Sequence, residues 1–177
     1  MKRRHLIYAE MDSPIGDLTI VSSPVGICSI EFGSYSQVKM SILRMSQRMM
    51  FLEEPKSSPD ELFEVIRQLN EYFDRKRKYF QVPLDLVGTP FQKKVWHQLQ
   101  QIPYGETKSY KEVASLLHSP KAVRAVGGAN NKNPVPIIVP CHRVVGSNGA
   151  LVGYGGGIGI KEYLLQLEGC ENYLISI

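Results

Sequence analysis

The chain has 177 residues, room for one large domain or two small ones. With 43% apolar and 21% charged residues it reads as a globular protein, and no apolar run approaches the ~18 residues that cross a bilayer, so no membrane partner is expected. The net charge of +4 is unevenly spread: Lys93 to Arg143 holds eight Lys/Arg against two acids and residues 1–82 hold twelve against eleven, so a polyanionic partner is expected for the second half only.

The N-terminal stretch "MKRRHLIYAEMDSPIGDL" starts basic but soon meets Glu10, Asp12 and Asp17, and it lacks a continuous apolar segment and a cleavage signature; no signal peptide is expected. "IYAEMDSPIGDLTIVSS" and "GICSIEFG" read as short strands joined by turns at Pro14-Ile15-Gly16 and Ser23-Pro24. "YSQVKMSILRMSQRMMF" and "SPDELFEVIRQLNEYFDRK" read as helices. In the second, Leu62, Val65, Ile66, Leu69 and Phe73 recur at helical spacing behind start signals at Ser58, Pro59 and Asp60. The prolines of "QVPLDLVGTP" place a domain boundary near residue 82.

The second half reads mainly helical. Thr89 caps "TPFQKKVWHQLQQI", with Pro90 in its first turn and Phe91, Val95, Trp96 and Leu99 on one face. Ser109 and Glu112 form a capping box for "SYKEVASLLHS". Ser119 and Pro120 announce "SPKAVRAVGGANNKN", which Gly127-Gly128 are expected to end or loosen. Two short helices across a tight turn, the second basic, have the outline of a helix-turn-helix. The glycine-rich "VVGSNGALVGYGGGIG" reads as a loop whose backbone approaches a ligand closely. "IKEYLLQLEG" closes the chain as a helix with Tyr163, Leu164 and Leu167 inward, Glu168 near its end and Gly169 as terminator. The expected fold is α+β: a small N-terminal α/β domain (sheet with helices) over residues 1–82, and a mainly helical C-terminal domain with a winged helix-turn-helix over 83–177.

"VPCHRVVG" places Cys141 and His142 side by side in an apolar run. A thiol in such a run is more often core than chemistry. A metal is disfavoured because no cysteine has a second Cys or His two to four residues away. A nucleophile needs a base, and adjacent side chains on extended chain point apart, so His142 reaches Cys141 only across a turn or through a water. The imidazole would need an acid behind it, and Glu168 is the candidate. Cys28, Cys141 and Cys170 are too sparse for a disulfide framework and fit a reducing cytoplasm.

"NPVPIIVPCHRVVGSNGALVGYGGGIGIKEYLLQLEG", with "TPFQKKVWHQLQQIPYGETKSYKEVA" and "AVRAVGGAN", resembles the O6-alkylguanine-DNA alkyltransferases over residues 83–170. The first half is similar more loosely, through "DSPIGDLTIVSS". The resemblance implies a repair protein that moves an alkyl group from O6-alkylguanine, and O4-alkylthymine, in double-stranded DNA onto its own cysteine, once, as a monomer and without cofactor or metal. Cys141 would be the acceptor, His142 would draw its proton through a water, Glu168 would hold the imidazole and Asn133 would support the active-site turn. Tyr110 would crowd the target phosphate, and Arg124 would fill the gap left by the extruded base. Pro136, Pro140, Val144, Tyr154, Gly155 and Gly156 would line the pocket, with Gly155 standing where the family often has a hydroxyl residue. Lys111, Ser119 and Ser147 would meet backbone phosphates. Some family members hold zinc in the N-terminal domain; this chain has only His5 and Cys28 as zinc-type ligands in that region, so none is expected. Two other classes stay open: a lesion-marking binder, which Cys141 disfavours, and a cysteine hydrolase, which would need a direct Cys–His pair.

Overall fold

The computed structural model describes residues 5–173. The chain forms two units, Met1–Val87 and Gly88–Ile177. In the first, strands β1 (Ile7–Met11), β2 (Leu18–Ser22) and β3 (Ile27–Phe32) make an antiparallel meander, and β4 (Lys56–Ser57) adds in parallel beside β1, giving the order β3-β2-β1-β4. The β1–β2 connection turns at Gly16, whose φ of +97° suits glycine. Helix α1 (Tyr35–Arg48) seats Ile42 against Leu6, Val21 and Cys28 of the sheet. The Cys28 thiol is pushed up to about 12 by burial and donates to the Val21 carbonyl, as a core sulfur does.

Helix α2 (Phe63–Phe73) begins later than Ser58-Pro59-Asp60 suggest, because these residues first form a turn closed by the Leu62 N–H on the Pro59 carbonyl. Of the prolines read as a domain break, Pro83 lies on chain that stays with the first unit, whereas Pro90 opens α3 of the second. The Ile27 N–H donates to Pro83 O at 2.8 Å, and the Asp85 N–H to Ile27 O at 2.8 Å. A Cβ on Gly26 would sit 2.4 Å from the Pro83 carbonyl oxygen, so this approach requires glycine.

The second unit holds α3 (Pro90–Leu99), β5 (Lys108–Ser109), α4 (Tyr110–Leu116), α5 (Val123–Asn131), a single 3-10 turn (Cys141–Arg143), β6 (Val144–Val145) and α6 (Ile158–Leu167). Thr89 caps α3 by accepting the Gln92 N–H, and Ser109 caps α4 by accepting the Glu112 N–H, both as expected. Two other expectations fail. Ser119 is not a cap: its hydroxyl donates to the Leu117 carbonyl, and α5 starts four residues later, behind Ala122. Gly127 and Gly128 do not stop α5, which runs through them to Asn131, the open face of Gly127 receiving the Tyr110 ring of α4. Trp96, fully buried, packs in this core and its indole N–H donates to the Ala129 carbonyl of α5 at 2.8 Å. The inward face of α6 is Lys161, Leu164, Leu165 and Leu167, with Tyr163 only half-buried.

Candidate active site

The "PCHR" run leaves extended geometry for one tight turn. The Cys141 N–H donates to Val139 O at 2.8 Å and the Arg143 N–H to Pro140 O at 3.0 Å. Asn133 braces the approach: its amide donates to Val139 O at 2.8 Å and its carbonyl accepts the Val135 N–H at 3.0 Å. Directly after the turn, β6 pairs in parallel with β5, Val144 opposite Lys108 and Val145 opposite Ser109. That pairing carries the start of α4, and with it Tyr110, to the side of Cys141.

Cys141 is 4% exposed. Burial pushes its thiol up to about 11, although the Asn133 hydrogen bond and the Lys161 charge pull the other way. The turn separates the two neighbours that an extended chain would also have separated, but it sends His142 into the interior, fully buried. There the His142 Nε2 lies 2.7 Å from Glu168 Oε1. Glu168 reaches it from the end of α6 and also accepts from Arg143 Nε at 2.8 Å, Arg143 Nη2 at 3.0 Å and the Gly105 N–H at 3.2 Å. Burial works to raise the Glu168 carboxyl, but the His142 and Arg143 contacts overcome it and hold the group well below the usual carboxylate range. An ionised carboxylate only accepts, so the shared proton sits on Nε2. Burial keeps the ring neutral by lowering the His142 pKa against the pull of Glu168. Nδ1 is then the lone-pair atom, and it is buried with no protein hydrogen-bond partner among the described residues.

Two residues that the sequence did not single out complete the arrangement. Arg143, buried, also donates Nη1 to Ile102 O at 2.6 Å and lies 5.8 Å from the centre of the Tyr104 ring. Lys161 is 0% exposed, and its ammonium donates to Val144 O at 2.5 Å and Val152 O at 3.0 Å. Burial lowers it to about 8, with the Cys141 charge acting in the opposite sense. Tyr110 donates to the same Val152 carbonyl at 3.1 Å, and burial, with the Cys141 charge behind it, pushes its phenol up to about 12. The signal for Lys161 was its place at an a-type position of an otherwise apolar helix face, which a charge occupies only with partners.

Of the expected pocket residues, Pro136, Pro140 and Val144 are buried, Tyr154 is half-buried with its hydroxyl inside, Gly156 is half-buried and Gly155 is exposed. The loop bends through Gly153 (φ +49°) and Gly157 (φ +90°), conformations open to glycine. A Cβ on Gly153 would lie 3.2 Å from the Asn131 amide oxygen. Arg124, in the first turn of α5, is exposed; so are Lys111 and Ser147, and Ser119 is half-exposed in the turn between α4 and α5. The structure thus gathers Cys141, His142, Glu168, Asn133 and Tyr110 at one place, and keeps Arg124, Lys111, Ser119 and Ser147 on the surface.

Comparison with known proteins gives the chain a family. Residues 90–170 match the model of the 6-O-methylguanine DNA methyltransferase DNA-binding domain, and residues 6–86 match that family's ribonuclease-like domain. The chain is 44% identical to a methylated-DNA–protein-cysteine methyltransferase of Methanosarcina acetivorans over 93% of this chain and 99% of that one. It is likewise 44% identical to the constitutive enzyme of Bacillus subtilis, over 91% and 94%. Among solved structures it resembles Mycobacterium tuberculosis OGT in complex with DNA, with a TM-score of 0.78, 42% identity and 92% of each chain covered. With its ribonuclease-like first unit and its helical DNA-binding second unit, the chain belongs to the O6-methylguanine-DNA methyltransferase family.

Proposed function

We propose that this chain repairs O6-methylguanine in DNA as a methylated-DNA–protein-cysteine methyltransferase, with Cys141 as the acceptor. The observation that carries the reading is the oriented imidazole: Nε2 is committed to Glu168, so the lone pair of Nδ1 belongs to the residue next to the thiol. His142 takes the Cys141 proton at Nδ1 through one bridging water, and Glu168, itself held ionised by Arg143, stabilises the imidazolium that results. The thiolate attacks the alkyl carbon; the S–C bond forms as the C–O6 bond breaks, and the electron pair leaves with guanine. Tyr110, released from Val152, gives the departing guanine its proton, and the imidazolium returns the Cys141 proton to the phenolate through water, so both side chains end neutral. The displacement moves no electrons to a carrier and needs no Lewis acid, so no cofactor enters. The product is a thioether that no group at the site can hydrolyse, and each protein acts once.

The target base must leave the stack to meet a buried sulfur. Arg124, exposed on the first turn of α5, fills the vacated space with a planar cation, while Lys111, Ser119 and Ser147 meet phosphates. Double-stranded DNA is therefore the partner, in keeping with the DNA-bound mycobacterial relative. Acceptor, relay and helix-turn-helix lie in one chain, so a monomer suffices. Pro136, Pro140, Val144, Tyr154, Gly155 and Gly156 line the pocket. Because O4-alkylthymine presents the same alkyl-on-oxygen group, the pocket takes it as well.

Intact mass after incubation with duplexes carrying O6-methylguanine or O4-methylthymine tests this. The wild type gains one methyl group and stops; Cys141→Ala gains none yet still binds the duplex. Catalytic turnover, or methylation of Cys141→Ala, would refute the assignment.

A further inference from the structure

The first unit carries a basic bowl that the repair reaction does not use. Helix α2 ends in a Schellman closure, with the Arg75 N–H on Tyr72 O and the Lys76 N–H on Glu71 O. The following loop wraps an open depression of about 410 Å³ lined by Arg75, Lys76, Arg77, Lys78, Tyr79 and Gln81. The loop is held at both ends. Arg77 bonds Glu71 Oε2 at 2.8 Å and the Tyr79 carbonyl at 3.0 Å, and the buried Gln68 side chain accepts the Gln81 N–H at 2.8 Å and donates to the Gln81 carbonyl at 3.2 Å. The cations are thus presented by fixed backbone, which cuts the ordering cost of binding. Arg75 stands at the position where a helix end favours glycine, with φ +60°, and its guanidinium has no acidic partner among the described residues. Among the described residues Lys76 pairs only with the exposed Asp74, at 3.0 Å, a pair of little worth in water. Tyr79, 70% exposed, offers a bare ring beside them.

One cation would satisfy the α2 carbonyl end; four around a concavity with an uncovered aromatic ring match a polyanion with planar groups. We propose that the 75–81 loop is a second DNA-contact site, binding backbone phosphates through Arg75, Lys76 and Lys78 with Tyr79 against sugar or base. It rests on DNA being this chain's partner, and adds a contact in the unit whose overall charge balance gave no reason to expect one.

The test uses full-length protein with a fluorescent, lesion-free duplex, titrated by anisotropy at several NaCl concentrations. Arg75→Ala/Lys76→Ala/Lys78→Ala should flatten the slope of log K against log salt by about two to three, at roughly 0.9 per phosphate. Methyl transfer from free O6-methylguanine base should be unchanged, which keeps this outcome separate from failure of the repair assignment. Tyr79→Ala should weaken binding severalfold while leaving the slope unchanged. An unaltered affinity and slope in the triple variant would overturn the proposal. So would binding of inorganic phosphate or polyglutamate that the triple variant loses while its DNA binding stays intact.

Discussion

Lys161 stands where an apolar helix face would carry leucine, and its ammonium ties the carbonyl that follows the Cys141 turn to the carbonyl that opens the glycine-rich loop. Burial lowers it to about 8, so it is still charged at neutral pH, and its charge favours the Cys141 thiolate. In Lys161→Met the Val144 carbonyl loses this buried donor and Val152 keeps only Tyr110, which should cost about 1–3 kcal/mol in chemical denaturation. The pH midpoint for iodoacetamide labelling of Cys141 should also rise, by about one pH unit, and methyl transfer should slow about tenfold. A midpoint that stays or falls would deny Lys161 any hold on the thiol. His142 sets the acid limit. Its folded pKa lies below the ordinary ~6.5, so the unfolded chain binds the proton more readily. The stability due to the neutral ring is complete above ~6.5 and lost as pH falls below it. Glu168, held low, gives way only at still lower pH. The melting temperature should therefore drop from pH 7 to 5, and His142→Asn should flatten that drop. An equally steep fall in the variant would place the acid lability elsewhere.

At the scale of elements, helix starts divide into those written locally and those set by packing. Thr89 and Ser109 accept the N–H three residues on, and Gln92 and Glu112 answer reciprocally. Thr89→Ala and Ser109→Ala should each cost about 1 kcal/mol in denaturant unfolding, whereas Ser119→Ala should fall within about 0.5 kcal/mol of wild type. A loss at Ser119 equal to that at Ser109 would restore it as a cap. The same division explains what was readable. Caps, the meander and the apolar faces of α2 and α3 depend on neighbours a few residues apart, and the sequence showed them. The relay was readable in part, because Cys141 and His142 adjoin while Glu168 was the one acid late in an apolar helix. Arg143 was not, and Lys161 was only a charge on an apolar helix face with no partner in view, since Ile102, Val144 and Val152 lie 9 to 41 residues away. Nor was β4, two exposed residues with no alternation to announce them.

For the whole molecule, the proposed roles separate repair in duplex from chemistry on the bare base. Arg124 is exposed, far in role from the buried relay, so Arg124→Ala should slow transfer from duplex at least tenfold, while transfer from free O6-methylguanine should stay within about twofold. Equal slowing of both, in single-turnover kinetics, would remove Arg124 from base extrusion. The two units also differ in what reports on them. The sequence has one tryptophan, Trp96, fully buried in the second unit and bonded to α5 through its indole nitrogen. Its emission therefore reports from the DNA-binding unit: a red shift during denaturation marks the exposure of that core and gives this half of the chain an optical signature without any label.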